Sequence, residues 1–145
     1  MYTLHHYALE QEARNVLDIT TLEHMRTGFT QLAKDADAII WSSRLHWGFS
    51  AGVDLKDHVP GKIPAMLHAV HGLVRSFVEL PCLLLAQVHG PCLGGAAELV
   101  FACDAVVASE DATFGFPEIT VGCYPPIALA MLGARIGAVK ATELI

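Results

Sequence analysis

Two stretches of the chain place apolar residues at every third or fourth position, the spacing that brings them onto one face of an α-helix. The first lies within residues 22–33 and follows Thr20 and Thr21, either of which can serve as the N-cap. The second lies within residues 66–78 and is closed by Pro81, which cannot continue a helix. The pattern therefore predicts two amphipathic helices.

Short apolar runs alternate with these helices. Residues 38–41 and 83–88 are predicted to form buried β-strands, and residues 105–108 are a third strand-like run. Residues 96–102 have helical composition, whereas residues 1–13 show no clear period and receive no element. Because strands and helices alternate and neither a repeat nor a linker interrupts residues 1–145, we predict a single α/β domain.

The composition raises the question of a membrane segment. Of the 145 residues, 53% are hydrophobic and only 17% are charged, below the usual charged fraction of about 25%. The uncharged runs at 80–97 and 119–134 are interrupted by glycine and proline, whereas a membrane-spanning helix needs about 20 mainly apolar residues. Because the chain also opens without a charged-then-apolar signal peptide, we expect a cytoplasmic protein with no membrane partner.

The net charge of −6 and its distribution bear on the partner. Neither lysine nor arginine occurs between Arg75 and Arg135. A nucleic-acid-binding surface is typically basic, so nucleic acid is disfavoured as a partner. Lys56 and Lys62, further upstream, are better candidates for binding an anionic tail.

The cysteines and histidines do not form a metal-binding pattern. The cysteines are too widely spaced for a Cys-x-x-Cys site, lying at Cys82, Cys92, Cys103 and Cys123. They fall in apolar stretches, where free cysteine behaves as a small hydrophobe, and they indicate a reducing compartment. His68 and His71 have the i,i+3 spacing of a helix but no third ligand, so we predict no metal site.

Two glycine-containing turns follow predicted strands and precede helices, at residues 50–54 and 94–96. Backbone N–H groups at a helix N-terminus attract negative charge. Two such groups that converge on one oxygen form an oxyanion hole, which stabilises the charge that develops in a transition state. Taken alone, each turn is better explained by tight packing of a helix against a strand.

Two glutamates in apolar surroundings favour catalysis. Glu98 lies inside the apolar residues 93–103, and Glu118 precedes the uncharged run 119–134. Burial raises the pKa of a carboxyl group and suits it to proton transfer near neutral pH. The alternative explanations are a favourable charge at a helix start for Glu98 and a turn cap for Glu118.

Three motifs resemble the crotonase (enoyl-CoA hydratase/isomerase) superfamily in their order and spacing. They are F-S-A-G-V-D-L-K at 49–56 and the stretches at 89–104 and 112–122. The resemblance extends from residue 15 to the C-terminus. It implies a crotonase-like α/β fold, a superhelix of ββα units, here truncated at both ends and without the C-terminal helices that build the trimer.

The resemblance also implies roles for individual residues. The backbone N–H groups of Val53 and Gly95 would bind the thioester oxygen, and Glu98 and Glu118 would be the catalytic glutamates. Contacts to the acyl and CoA portions would come from Ala51, Gly52, Asp54, Leu55, Gly94, Pro117, Cys123 and Pro126. Coenzyme A enters as part of the substrate, with no separate cofactor, and the full-length form is expected to be a homo-trimer or hexamer.

Within the superfamily the chain is most similar to the cyclohexa-1,5-diene-1-carbonyl-CoA hydratases, on residues 15–18, 58–67 and 124–126. Three departures from the common hydratase pattern bear on the acyl group. Ala96 stands where many hydratases have a third glycine, Pro126 where they have a glycine near the active-site water, and Phe116 where they have a polar residue. These changes indicate a bulkier or cyclic acyl group.

The implied activity is hydration of the carbon–carbon double bond of an α,β-unsaturated acyl-CoA. An enoyl-CoA isomerase usually works with one carboxylate, so Glu98 favours hydration. A crotonase-type dehalogenase would need a nucleophilic aspartate where Pro125 and Pro126 stand. A catalytically incomplete acyl-CoA-binding fragment is a further alternative, because the family's chains are longer.

Overall fold

The computed structural model of the protein describes residues 2–144, without the side chains of Glu12, Ala13 and Leu144. The strands are β1 (Leu4–Leu9), β2 (Val16–Leu17), β3 (Ala38–Ser43), β4 (Gly52–Val53), β5 (Leu83–Val88), β6 (Pro91–Leu93), β7 (Ala105–Ala108) and β8 (Thr113–Gly115). The helices are α1 (Glu12–Asn15), α2 (Ile19–Leu32), α3 (Ile63–Val78), α4 (Gly95–Phe101), α5 (Pro126–Ile136) and α6 (Ala138–Leu144), with short 3-10 helices at Leu55–Asp57 and Pro117–Val121.

The strands form one four-stranded parallel sheet and two small parallel pairs. The large sheet has the order β1-β3-β5-β7, and the small pairs are β2-β4 and β6-β8. Along the chain, a strand of the large sheet is followed by a strand of a small pair and then by a helix, and this unit recurs. Parallel neighbours require such crossover connections. The predicted α/β fold of ββα units is therefore confirmed.

The main core lies where α2 and α3 cover the large sheet. The ring of Phe29 on α2 lies 4.3 Å from the Tyr7 ring, 4.8 Å from Phe77 and 5.9 Å from Trp41, measured between centroids. The Phe29 and Trp41 side chains are fully buried. The apolar face predicted for α2 thus meets the sheet, and the α3 face meets it through Phe77, whose ring lies 5.7 Å from that of Trp41.

One prediction near the N-terminus was wrong, and one stretch that received no element forms a strand. The start of α2 is capped by Asp18, whose carboxylate accepts the Thr21 N–H at 2.7 Å, and not by Thr20 or Thr21. Residues 1–13 were given no element, yet β1 lies there and pairs with β3 over six residue pairs, from Leu4 with Ala38 onwards. As the edge strand of the sheet, β1 has only one neighbour and keeps several side chains exposed. A clear apolar period is therefore missing from its sequence.

The C-terminal segment, defined here as residues 105–144, is much more exposed than the rest. All four residues of β7 are exposed. Large apolar side chains are open to solvent along the segment, for example Val107 at 65%, Ile119 at 82% and Leu129 at 53%. Across residues 2–144, no helix combines the length and the apolar character needed to cross a membrane.

Candidate active site

The loop that leads into β4 is held by Asn15. This residue is buried and has a left-handed backbone, with φ of 49°, a conformation that asparagine adopts more readily than most residues. Its side-chain amide donates to Ser43 Oγ and to the Phe49 carbonyl, both at 2.8 Å. Ser50 Oγ in turn donates to the Asn15 carbonyl at 2.6 Å. These bonds fix the entry to β4 beside β2.

The backbone N–H groups of Val53 and Gly95 are neighbours. The Asp54 N–H donates to the Leu17 carbonyl at 3.0 Å, and successive N–H groups of a strand point to opposite sides. The Val53 N–H therefore points away from β2. Gly95 is the first residue of α4, where N–H groups have no partner inside the helix. A Cβ placed on Gly95 would lie 3.7 Å from the Val53 nitrogen.

The glycines of this turn are required by close approach. A Cβ on Gly95 would lie only 2.6 Å from Val53 Cγ2. Gly94 has a positive φ of 54°, and a Cβ there would lie 3.1 Å from Glu118 Oε1. The glycines therefore permit tight packing of the helix against the strand, and this packing brings the backbones of Val53 and Gly95 and the Glu118 carboxyl group close together.

Glu98 projects from α4 and is held by the start of α5. Its Oε1 accepts the Ile127 N–H at 2.7 Å and the Ala128 N–H at 2.9 Å. The residue is only 4% exposed. Burial raises the pKa of its carboxyl group and the nearby Glu118 raises it as well, while the two backbone hydrogen bonds act in the opposite direction. The deprotonated form is thus costly to bury but has partners that stabilise it.

Glu118 lies in the 3-10 helix on the other side of the cavity and is half-buried. Its Oε2 is buried and has no hydrogen-bond partner among the residues that the structure describes. Burial raises the pKa of this carboxyl group, whereas its own backbone N–H and a charged His58 lower it. An unpartnered buried oxygen favours the protonated, neutral form.

Both glutamates and both amides line one cavity of about 430 Å³. Of the residues proposed from the sequence, those that line it are Ala51, Gly52, Val53, Leu55, Gly94, Gly95, Glu98, Pro117, Glu118, Cys123 and Pro126. Asp54 does not line it. Its carboxylate accepts the Lys56 N–H at 2.9 Å and begins the 3-10 helix after β4.

Several lining residues were not proposed from the sequence. One wall is the face of α3 that carries Met66 and Val70 together with His71. His58 and Tyr124 also line the cavity. His71 was considered only as a metal ligand beside His68, and His68 lies outside this cavity. A helix face that lines a cavity has the same apolar spacing as one that packs in a core, so the sequence pattern alone does not separate the two.

The lysines proposed for an anionic tail differ in their partners. Lys62 Nζ donates to Asp57 Oδ1 at 2.9 Å, and this hydrogen bond lowers the pKa of the buried Asp57 carboxyl group. Asp57 Oδ2 also accepts the Ile19 N–H at 3.1 Å, so it ties the 3-10 helix after β4 to α2. Lys62 therefore has a structural partner, whereas Lys56 is exposed beside the cavity mouth formed by Leu55.

Comparison with known proteins defines the class. The family model described as enoyl-CoA hydratase/isomerase matches residues 7–145. The chain therefore belongs to the enoyl-CoA hydratase/isomerase family. The crystal structure of an enoyl-CoA hydratase from Bacillus anthracis superimposes on 97% of the chain and 57% of that protein, with a TM-score of 0.89 and 28% identity.

Two relatives with the names of specific hydratases are similar to the chain in sequence. A cyclohexa-1,5-dienecarbonyl-CoA hydratase from Thauera aromatica is 39% identical over 100 residues, which are 69% of this chain and 38% of that protein. A 2,3-dehydroadipyl-CoA hydratase from Escherichia coli is 30% identical over 128 residues, covering 86% of this chain and 48% of that protein. The chain thus spans less than half the length of these two relatives.

Proposed function

We propose that the protein adds water across the carbon–carbon double bond of an α,β-unsaturated acyl-CoA thioester. The observation that carries the proposal is the arrangement of Glu98, Glu118 and the amides of Val53 and Gly95 around one cavity. Two amides suit a thioester oxygen, and two carboxyl groups suit the two proton transfers of a hydration. Membership of the enoyl-CoA hydratase/isomerase family supports the same conclusion.

The thioester carbonyl would accept hydrogen bonds from the Val53 and Gly95 N–H groups. This polarises the conjugated double bond, so that water can form a bond from its oxygen to the β-carbon. The electron pair of the double bond moves toward the carbonyl, and the enolate oxygen that results carries its charge between the two amides. Donors fixed in advance for such charge are typically worth a factor of about 10²–10³ in rate for each donor.

The surroundings of the two carboxyl groups support distinct roles. Two carboxylates that share a partly dry cavity disfavour double ionisation, so one proton tends to remain between them. Glu98 receives two backbone N–H bonds, which stabilise its carboxylate. Among the residues that the structure describes, the buried Glu118 Oε2 has no hydrogen-bond partner, which favours its acid form. Glu98 would then accept a proton from the attacking water, and Glu118 would deliver its proton to the α-carbon.

The lining of the cavity bears on the acyl group. The wall from α3 is largely apolar, and the cavity volume of about 430 Å³ lies in the range of sites for small organic ligands. A cyclic dienoyl group, as in the name of the Thauera aromatica relative, fits this description. The residues proposed to hold the acyl and CoA portions are Ala51, Gly52, Leu55, Gly94, Pro117, Cys123 and Pro126.

An acyl-CoA-binding role without catalysis is a second candidate, favoured by one observation. Glu118 stands on the exposed C-terminal segment, and the chain spans less than half the length of the two hydratases. The apolar side chains exposed on that segment also support association of copies into a homo-trimer or hexamer. Either additional chain or additional copies would then complete the wall that holds Glu118.

The test follows the absorbance of the conjugated thioester with crotonyl-CoA and with cyclohexa-1,5-dienecarbonyl-CoA. We expect the parent protein to hydrate at least one ester, and Glu98→Gln and Glu118→Gln to lower the rate by about 10²–10⁴-fold each. Glu110→Gln, on an exposed loop outside the cavity, is the matched control and should keep the parent rate. Binding of both esters without hydration of either would favour the binding role over the enzyme.

A further inference from the structure

His58 is a polar residue of the cavity to which the reaction assigns no step. It directly follows the 3-10 helix Leu55–Asp57, is half-buried and lines the same cavity as Glu98 and Glu118. It is also near enough to Glu118 for a charged imidazole to lower the pKa of that carboxyl group.

The His58 imidazole forms a hydrogen bond within the described residues through one of its two ring nitrogens. His58 Nδ1 lies 2.9 Å from the Asp54 carbonyl oxygen. A carbonyl oxygen only accepts, so Nδ1 carries the hydrogen and the neutral ring presents Nε2 as an acceptor. Within residues 2–144, no protein group forms a hydrogen bond with Nε2. The bond to Asp54 also ties the ring to the residue that follows the Val53 amide.

The rest of the lining restricts what this acceptor can bind. The residues around the cavity include neither lysine nor arginine, and their ionisable acids are Glu98 and Glu118. With the His58 ring neutral, an anionic acyl group would meet the two glutamates and no lysine or arginine among these residues. A purely hydrocarbon acyl group would cover Nε2 and leave it unpaired, which is unfavourable for a polar atom removed from water. A neutral hydroxyl group satisfies the acceptor without bringing a charge into the cavity.

We propose that His58 is a specificity-determining residue whose Nε2 accepts a hydrogen bond from a hydroxyl group on the acyl portion, so that hydroxylated acyl-CoA esters bind more tightly than hydrocarbon esters of the same shape. The inference deepens the proposed function and rests on it in one respect, that the acyl group occupies this cavity. The neighbouring His71 lines the same cavity but is exposed on α3 and has no anchoring hydrogen bond from the described residues.

The experiment measures the dissociation constants of saturated esters by calorimetry. The probes are cyclohexanecarbonyl-CoA and its 3-hydroxy and 4-hydroxy derivatives, which have no double bond to hydrate. We expect the parent protein to bind at least one hydroxylated ester about fivefold more tightly, as one neutral hydrogen bond gives. His58→Phe should abolish this preference, His58→Gln should retain part of it, and His71→Phe should leave it unchanged.

Each other outcome overturns the proposal. Equal affinities of the parent protein for the hydroxylated and the hydrocarbon esters would show that Nε2 does not accept a hydrogen bond from the hydroxyl group. A preference that persists in His58→Phe would assign it to another residue. If His58→Phe weakened the binding of free CoA and of all esters by the same factor, His58 would contact the CoA portion and not the acyl portion. Because no step is catalysed, these results do not depend on whether crotonyl-CoA is hydrated. His58→Leu replaces His58→Phe if the latter lacks the parent circular dichroism spectrum.

Discussion

The two glutamates stand on walls of very different construction. Glu98 belongs to α4, in which every residue from Gly95 to Val100 is buried, and its carboxylate is held by two N–H groups. Glu118 belongs to the C-terminal segment, where β7 is wholly exposed and the 3-10 helix around Glu118 has no buried residue. One wall is therefore fixed by the core of this chain, whereas the other rests on few contacts.

This difference divides the site into a part that the core of the chain positions and a part that the C-terminal segment supplies. The amides and Glu98 depend on packing among α2, α3, α4 and the strands β1, β3 and β5, all of which lie within residues 2–103. The fourth strand of the large sheet, β7, belongs to the C-terminal segment. The C-terminal segment meets that core through the pairing of β7 with β5 and of β8 with β6. It also meets the core through α5, by the Glu98 hydrogen bonds and the buried side chains of Ile127 and Leu132. Changes in the core should therefore affect stability strongly, and changes in the exposed segment should affect it little.

The largest expected effect is on stability. Phe29→Ala removes the ring that contacts Tyr7, Trp41 and Phe77, and should lower the free energy of unfolding by about 3–5 kcal/mol. Leu129→Ala, 53% exposed on α5, should change it by no more than about 0.5 kcal/mol. Urea denaturation followed by circular dichroism measures both. Similar losses for the two variants would show that the exposed segment is packed in solution.

The next largest effect is expected on the rate of hydration when the turn at Gly94 and Gly95 is changed. Gly95→Ala would place a Cβ 2.6 Å from Val53 Cγ2, so the two amides must move apart. We expect hydration of crotonyl-CoA to slow on the order of a hundredfold, with a loss of about 1–3 kcal/mol in unfolding free energy.

Gly133→Ala is the matched control for that turn. Gly133 lies inside α5 and its added Cβ would meet no atom within 4 Å. The substitution should therefore stabilise the helix by up to about 1 kcal/mol and keep the rate. An unchanged rate in Gly95→Ala would remove the Val53 and Gly95 amides from the mechanism.

The smallest expected effect is a pH-dependent difference in folding stability caused by Glu118. Burial raises the pKa of this carboxyl group above its unfolded value, so the folded protein binds the proton more tightly. Stability then falls as the pH rises from the unfolded pKa through the folded one. Glu118→Gln should therefore be more stable than the parent at neutral pH and no different below pH of about 4.

The control for this pH dependence is Glu110→Gln, at an exposed loop position. It should show no such difference when unfolding is measured at both pH values. A Glu118→Gln variant that is less stable than the parent at neutral pH would mean that the ionised carboxylate has a partner in solution, and it would contradict the role of Glu118 as the acid.

Local patterns predicted the elements that are buried on one side or on both. The faces of α2 and α3 and the strands β3 and β5 follow from apolar spacing, because the packing that selects such residues leaves a regular period. The apolar run at 105–108 also forms a strand, β7, but all four of its residues are exposed. The edge strand β1 does not follow from apolar spacing, since Leu4 and His6 on one of its faces are exposed and its pairing with β3 is made across about 34 residues. Asp18 and Thr21 are both cap-forming types, and only the folded helix shows which one accepts.

The residues of the candidate site that could be predicted from the sequence are those whose chemical type and surrounding motif indicate the same role. Glu98 and Glu118 are carboxyl groups in apolar sequence, and glycine turns at Val53 and Gly95 mark exposed amides. His58 carries no such signal, because its place in the cavity depends on the loop that Asp57 ties to α2 and on a bond to the Asp54 carbonyl. Long-range contacts of this kind leave no local period in the sequence.

The proposed hydration needs Glu98 and Glu118 together. It is tested by incubating crotonyl-CoA with the protein in oxygen-18 water and analysing the products by mass spectrometry, with the Glu98→Gln/Glu118→Gln variant in parallel. We expect a hydroxyacyl-CoA that carries one oxygen-18 atom on the acyl chain, formed by the parent and not by the double variant. Label found only in a free carboxylic acid, a shifted double bond without label, or equal labelling by the double variant would contradict it.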